Sequence, residues 1–391
     1  MTRRLLATTA LAAASAILAR QAGAQTAFTP GNLLVSRSIY VAPPNLIIPG
    51  VTVLPGGNGA TAVASAAYPG VFANEAPDPS FGLTTPIIID QLTRGGTPVS
   101  TQTVGGITTS FPSKSELGLS LSADRTAVTF MGYNAPVNAL DVSNSNTPGH
   151  PDATNPVQLT YQRSVATLNT GGYVSLQAVD AYSGNNGRNA VTGLNGTTYL
   201  VGNAGNGTKA ATAAVLADQL ANTGVQIVKP GTSATTSAGA YNVTQNGYPA
   251  DKPGKDNNFR GETISGNTLF VTKGSGGNGI NTVYQVGAAG TLPTGGNAVA
   301  ILPGFNTRLA SADTTANTDT QFHPFGLFFA NATTLYVADE GIAGQGANGT
   351  ALPAQAGLQK WSLVGGTWVE DYVLQAGLDT GAYAVPGLDA K

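Results

Sequence analysis

The sequence predicts an all-β fold built from repeated antiparallel units, and three observations lead there. Helix-forming composition is confined to residues 209–220 (KAATAAVLADQL) in a chain of 391 residues. Elsewhere short runs rich in β-branched and aromatic residues alternate with Gly, Asn, Asp and Pro clusters. These runs also recur at a nearly fixed period. Residues 126–133 (TAVTFMGY), 197–201 (TTYLV), 268–272 (TLFVT) and 334–338 (TLYVA) each follow a polar tetrad, a first strand and a turn. The tetrads begin at Ser113, Asn185, Asn257 and His323, spaced 72, 72 and 66 residues apart.

Each element of the unit has a local reason. The turns fall at Ala123-Asp124, Asn195-Gly196, Gly266-Asn267 and Asn331-Ala332, residue pairs that tolerate positive φ and close tight hairpins. Gly-rich exits such as Gly202-Asn203-Ala204-Gly205 end the second strand. Two further strands follow, at residues 163–168 and 173–179 in the first full unit and at 357–364 and 367–374 in the last. Four antiparallel strands per unit, repeated around an axis, are the pattern of a β-propeller blade. A solenoid is the structural alternative, with shorter repeats as a rule. Residues 32–36 (NLLVS) read as the second strand of a first, incomplete blade. The count is therefore about five blades on a six-blade plan. The chain ends in a Pro/Gly loop at residues 383–388, with neither a last blade nor a closing strand in view. Unsealed sheet edges then offer a route to self-association.

The first 24 residues read as an export signal. Thr2-Arg3-Arg4 supplies the charged end, residues 5–19 the short apolar run, and Ala22-Gly23-Ala24 the cleavage site. The same arginines also fit a twin-arginine signal. Residues 25–391 then form a single β-propeller domain, periplasmic or extracellular, with no transmembrane segment once the signal is removed. Composition narrows the partners. With no Cys there is no disulfide or thiolate metal site, and a net charge of −2 argues against a nucleic-acid partner, which requires a basic face.

Several motifs carry a resemblance: FTPGNL at 28–33, DAYSGNN at 180–186, PFGLFF at 324–329, LYVAD at 335–339 and LQKWSL at 358–363. At these residues the chain resembles a family of exported bacterial β-propeller proteins, over about residues 28–377. The resemblance implies the propeller and export, and it brings no activity or cofactor with it. Members of that family continue into another blade and a closing strand.

In a propeller the first strand of each blade lines the central channel, so the tetrads converge. Lys114, Glu116, Asn186, Arg188, Asn258, Arg260 and His323 are the candidate ligand-binding residues. Three cations and a histidine around a concave centre attract an anion, and Arg suits bidentate binding of carboxylate or phosphate. The competing reading is that each Arg braces a long loop through backbone carbonyls. His323, Glu116, Asp180, Asp339 and Glu340 are metal-ligand types, but His150 and His323 form no spaced pair, and no catalytic metal is assigned. No cofactor is assigned; the oxygen-rich loops are compatible with a structural calcium. Trp361 and Trp368, flanking the Gly365-Gly366 turn, serve either as a sugar-stacking pair or as cross-strand packing. No catalytic residue is assigned. The readings are thus a binding protein for a small anion or carbohydrate, a hydrolase or lactonase-like enzyme on a small anionic substrate, and a surface-layer or matrix protein.

Overall fold

The computed structural model describes residues 26–39, 46–55, 59, 61–64, 72–73, 82–111, 116–205, 212–239, 256–274, 278–297, 299–310, 322–341 and 356–376. The export signal and the 383–388 loop lie outside the described residues. Among the described residues the chain is nearly all-β, and four antiparallel sheets of four or more strands carry the fold.

The first sheet contains β1 (Leu33–Ser38), β4 (Leu83–Leu92), β5 (Pro98–Phe111), β6 (Ser120–Leu121), β7 (Ala127–Tyr133), β8 (Arg163–Asn169) and β9 (Val174–Val179). Its order is β1-β4-β5-β7-β8-β9, with β6 paired to the start of β7. The intervening β2 (Val63–Ala64) and β3 (Phe72–Ala73) pair with each other. The three remaining sheets are consecutive meanders. They comprise β10 (Gly187–Thr192) to β13 (Thr235–Gly239), β14 (Glu262–Ser265) to β17 (Val299–Ile301), and β18 (Pro324–Asn331) to β21 (Thr367–Leu374). Their middle strands are β11 (Thr198–Gly202), β12 (Gly224–Val228), β15 (Thr268–Lys273), β16 (Thr282–Val286), β19 (Thr334–Asp339) and β20 (Gly357–Val364). The repeated four-stranded unit expected from the period is therefore present.

Turn chemistry sets the registers. Gly266 and Asn267 both take positive φ, 54° and 57°, and the two-residue loop brings Ser265 opposite Thr268. Gly365 and Gly366, at 58° and 85°, do the same for Val364 and Thr367. Both are type I′ turns, whose twist matches that of the flanking strands. The one α-helix among the described residues, α1 (Ala213–Ala221), is capped by Thr212, whose side chain accepts from the Val215 N–H. It sits in the β11–β12 connection and buries no residue.

The beginning of the chain departs from expectation. Residues 32–36 do not open a separate blade. Residues 33–36 belong to β1, an edge strand that pairs antiparallel with β4. The β4–β5 hairpin continues into the ladder of β7 at a single rung, Thr108 opposite Tyr133. The register jumps from Ile87↔Val104 to Pro86↔Thr108. Gly105, Gly106 and Ile107 take up the extra residues, with Gly106 at φ 84°. A bulge of this kind bends a strand. The bent hairpin lays Ile87, Ile89, Val104 and Ile107 over Phe130, Ala166 and Leu168, so the outer face of β7–β8 is covered by its own sheet.

Successive sheets pack face to face. Met131 and Val165 of the first meet Ala190, Leu200 and Val228 of the second. Val191, Tyr199 and Ile227 meet Leu269, Val271 and Tyr284 of the third. Phe270 and Val283 meet Leu335, Val337, Trp361 and Trp368 of the fourth. The first strands of the four units also touch: β6 contacts β10 and β14, β10 contacts β14, and β14 contacts β18. No ladder joins the fourth sheet to the first among the described residues.

Candidate functional site

A cavity of about 600 Å³ lies where β6, β14 and β18 come together, with Asn189 and Leu194 of the second sheet completing its wall. One end is polar. Arg260 lines it there, and the Ser120 hydroxyl donates to Asn189 Oδ1 at 3.0 Å and to the Glu262 carbonyl at 3.3 Å. At the turn end it is lined by Leu121, Leu194 and Phe328, exposed by 49%, 70% and 60%, together with Arg125, Ser265 and Asn267.

Beside this cavity a chain of polar contacts sews each sheet to the next. Glu116 Oε2 accepts from the Thr109 hydroxyl at 2.8 Å and the Ser110 N–H at 3.0 Å. Its other oxygen accepts from the Tyr133 hydroxyl and, at 2.9 Å, from Asn186 Nδ2. Arg188 donates to Asn258 Oδ1 and, at 3.0 Å, to the Phe259 carbonyl. Arg260 lies over the Phe325 ring, 5.5 Å from its centroid, and 3.9 Å from Glu340 Oε1. His323 Nδ1 is 2.8 Å from the Gly274 carbonyl oxygen, while its N–H donates to Asp339 Oδ2 at 2.8 Å.

Six of the seven residues singled out from the sequence thus fall in this layer, and Lys114 lies outside the described residues. Arg260 alone among the six lines the cavity. Arg188 braces the neighbouring loop, the role that competed with anion binding for it. Glu116 and His323, the acid–base pair that a hydrolase would use, sit on different sheets, and neither lines the cavity. Asp180 accepts from the Thr235 N–H and hydroxyl. Among the described residues no three His, Asp or Glu side chains are grouped so as to hold a metal ion. Trp361 stacks on Phe305 at 4.1 Å and both tryptophans are buried, which leaves no open indole face for a sugar.

Electrostatics follows from burial. Arg188 is pushed down to about 9, chiefly by loss of water and next by the charge of Arg260. Arg260 is lowered for the same first reason, with Glu340 acting against it. Burial raises the Tyr133 hydroxyl, and the Glu116 charge adds to that.

Of three buried ionisable residues, Arg163 and Glu262 were not legible in the sequence, and Asp339 was marked there only as a metal-ligand type. Arg163, wholly buried, donates to the carbonyls of Ser143, Ser145, Tyr161 and Asn185 at 2.7–2.9 Å and holds three loop segments together. Glu262 is 3% exposed, neither of its carboxyl oxygens has a hydrogen-bond partner among the described residues, and burial raises it well above 4.5. Asp339 is raised to about 7 by burial, against the pull of the N–H groups of Gly341 and His323. Only the first position of β8 marked Arg163, and nothing but strand alternation marked Glu262.

No family model matches the chain, and no curated protein matches it. Among solved structures, variants of the Synechocystis apocarotenoid oxygenase are similar at TM-scores of 0.29. Both are 11% identical to this chain; one match covers 72% of this chain and 50% of the other, and a second covers 74% and 59%. The chain therefore spans between half and three fifths of the length of the structures it matches. No helix among the described residues is long and apolar enough to cross a membrane.

Proposed function

We propose that this is an exported binding protein of β-propeller type, whose four units are blades and whose small anionic ligand sits in the cavity between β6, β14 and β18. One observation carries the reading: the inner strands of all four sheets contribute to the wall of one cavity, and Arg260 lines its polar end. A cavity of this size is in the range of small-molecule sites. A guanidinium with little access to water gains more from an anion than an exposed one does.

Export rests on residues 1–24, and the propeller reading on the repeat and the contacts among first strands. Melting of the mature protein tests the binding reading directly. Acetate or inorganic phosphate, at constant ionic strength, raises the melting temperature of the parent and leaves Arg260→Gln unmoved, because a ligand of the native state must stabilise it. Equal shifts in the two proteins, or none in the parent, sink the reading.

A further inference from the structure

Each of the first three sheets has one face covered by its successor, and among the described residues the fourth has no successor. In the fourth sheet Leu335, Val337, Trp361 and Leu363 point back into the core shared with the third. Strand alternation sends their neighbours the other way. The register sets Phe328, Tyr336, Lys360 and Tyr372 in one row across all four strands, and Ala338, Leu358 and Leu374 in the next. On this outer face Phe328, Leu358, Val364, Val369, Tyr372 and Leu374 are exposed by 37% to 61%. A single exposed leucine needs no explanation, but a sheet face carrying this many large apolar side chains marks a contact surface.

Its charge and its shape indicate what covers it. The four strands place two charges on the outer face, Lys360 and Asp371, and these satisfy each other. Lys360 Nζ lies 3.0 Å from Asp371 Oδ2, and the Ser362 hydroxyl donates to the same oxygen at 2.7 Å. The ammonium also stands over the Tyr372 ring, 5.5 Å from its centroid. With these two charges cancelled, the face has nothing with which to select an acidic or a basic partner. It is complementary to itself instead. A two-fold axis passing between the two charges sets Lys360 of each copy toward Asp371 of the other and apolar surface against apolar surface. Two sheet faces of the same twist interdigitate about 10 Å apart. Eight-residue strands in a four-stranded sheet give a face of roughly 26 Å by 19 Å, about 500 Å² in projection. A stable interface takes about 800 Å² of accessible surface from each partner. The side chains standing on the face bring its accessible area toward that figure, enough for a dimer and small enough for a reversible one.

We propose that the outer face of the fourth sheet seats a second copy of this chain, in a two-fold dimer whose β18–β21 sheets pack face to face.

Sedimentation velocity of the mature protein, from low to high micromolar concentration, tests this. The parent passes from monomer to dimer and goes no further. Leu358→Lys and Tyr372→Lys, each at an exposed position of the outer face, set like charges against each other across the axis. Each raises the dissociation constant by roughly a hundredfold. The two changes lie on different strands, so one remains readable if the other fails to fold, which circular dichroism checks. Leu194→Lys, at an exposed position in the β10–β11 turn, dimerises as the parent does. A parent that stays monomeric at every concentration overturns the proposal. So does a dimer that survives in both outer-face variants, because its interface then lies elsewhere. Growth beyond a dimer assigns the association to pairing of sheet edges and overturns face-to-face packing. A monomer that co-sediments with phosphatidylcholine vesicles assigns the face to a lipid surface and overturns the second copy too.

Discussion

Arg188 reaches out of the second sheet and donates to the side chain of Asn258, 70 residues further along the chain, and to the backbone carbonyl of Phe259 beside it. The same relation holds one sheet earlier, where Asn186 donates to Glu116, also 70 residues away. The period of the sequence is thus also the period of the bonds that join neighbouring sheets. Asn258→Ala removes an acceptor from a guanidinium that burial has already lowered to about 9. The expected loss is about 1–3 kcal/mol, the usual cost of depriving a buried donor of a partner. Arg188→Met, which removes the charge together with its need for partners, costs less than Asn258→Ala. Urea unfolding of the two variants checks the order, and the reverse order refutes the bracing role.

Glu262 gives a pH dependence with a definite sign. Burial raises its carboxyl well above 4.5, so folding takes up a proton there. Its contribution is fully present below pH 4.5 and is lost as pH rises from that value toward its raised one. Glu262→Gln is isosteric and stays neutral. The variant melts higher than the parent at pH 8, and the difference shrinks to nothing as pH falls toward 4. A constant difference at all pH values means that the carboxyl is not held neutral by the fold.

The strands and their turns were legible because they are local. Gly266-Asn267 and Gly365-Gly366 fix two-residue hairpins whatever surrounds them, and β20 and β21 fall on residues 357–364 and 367–374 as the sequence indicates. Of the first sheet, β7, β8 and β9 were legible and the β4–β5 hairpin was not. Its shape depends on the bulge at Gly105, Gly106 and Ile107, inside a Thr- and Ser-rich strand whose pattern has no period. The candidate site was legible only as a set. The repeat brings Glu116, Asn186, Arg188, Asn258 and Arg260 into one layer, but side-chain direction decides which of them reaches the cavity. Arg188 does not line the cavity and Arg260 does, although the two occupy the same place in their tetrads.

Asp339 titrates where most carboxylates do not. Burial lifts it from 3.8 to about 7, even though it accepts from the N–H groups of His323 and Gly341 and from the Gln359 amide. A raised acid stabilises the fold fully below pH 4, and that stabilisation is lost between 4 and 7. Carbon-13 NMR of protein labelled at its Asp carboxyls shows one resonance titrating near neutrality. It disappears in Asp339→Asn. A spectrum in which every Asp titrates below pH 5 contradicts the burial of this side chain in solution.

The close approach of the third and fourth sheets makes a last, purely steric prediction. At Gly261 a Cβ would lie 2.1 Å from the Phe325 carbonyl oxygen, and that carbonyl also accepts from the Thr272 hydroxyl at 2.6 Å. The same hydroxyl receives the Gly261 N–H at 2.8 Å, so backbone and side chain lock the two strands together. Backbone oxygen cannot swing away as a flexible side chain can. Gly261→Ala therefore forces β14 and β18 apart and costs about 1–3 kcal/mol or more, the range for overpacking a tight interior. Gly266→Ala is the control. Gly266 has positive φ, 54°, and open space around it, so its cost is confined to left-handed strain of about 1 kcal/mol. Because Trp361 and Trp368 are the only tryptophans and both are buried near this junction, their emission reports it. Gly261→Ala is expected to shift that emission to the red and to increase quenching by acrylamide below the melting temperature, while Gly266→Ala leaves both unchanged. A Gly261→Ala protein with the parent's emission and stability shows that the two strands are not in such close contact.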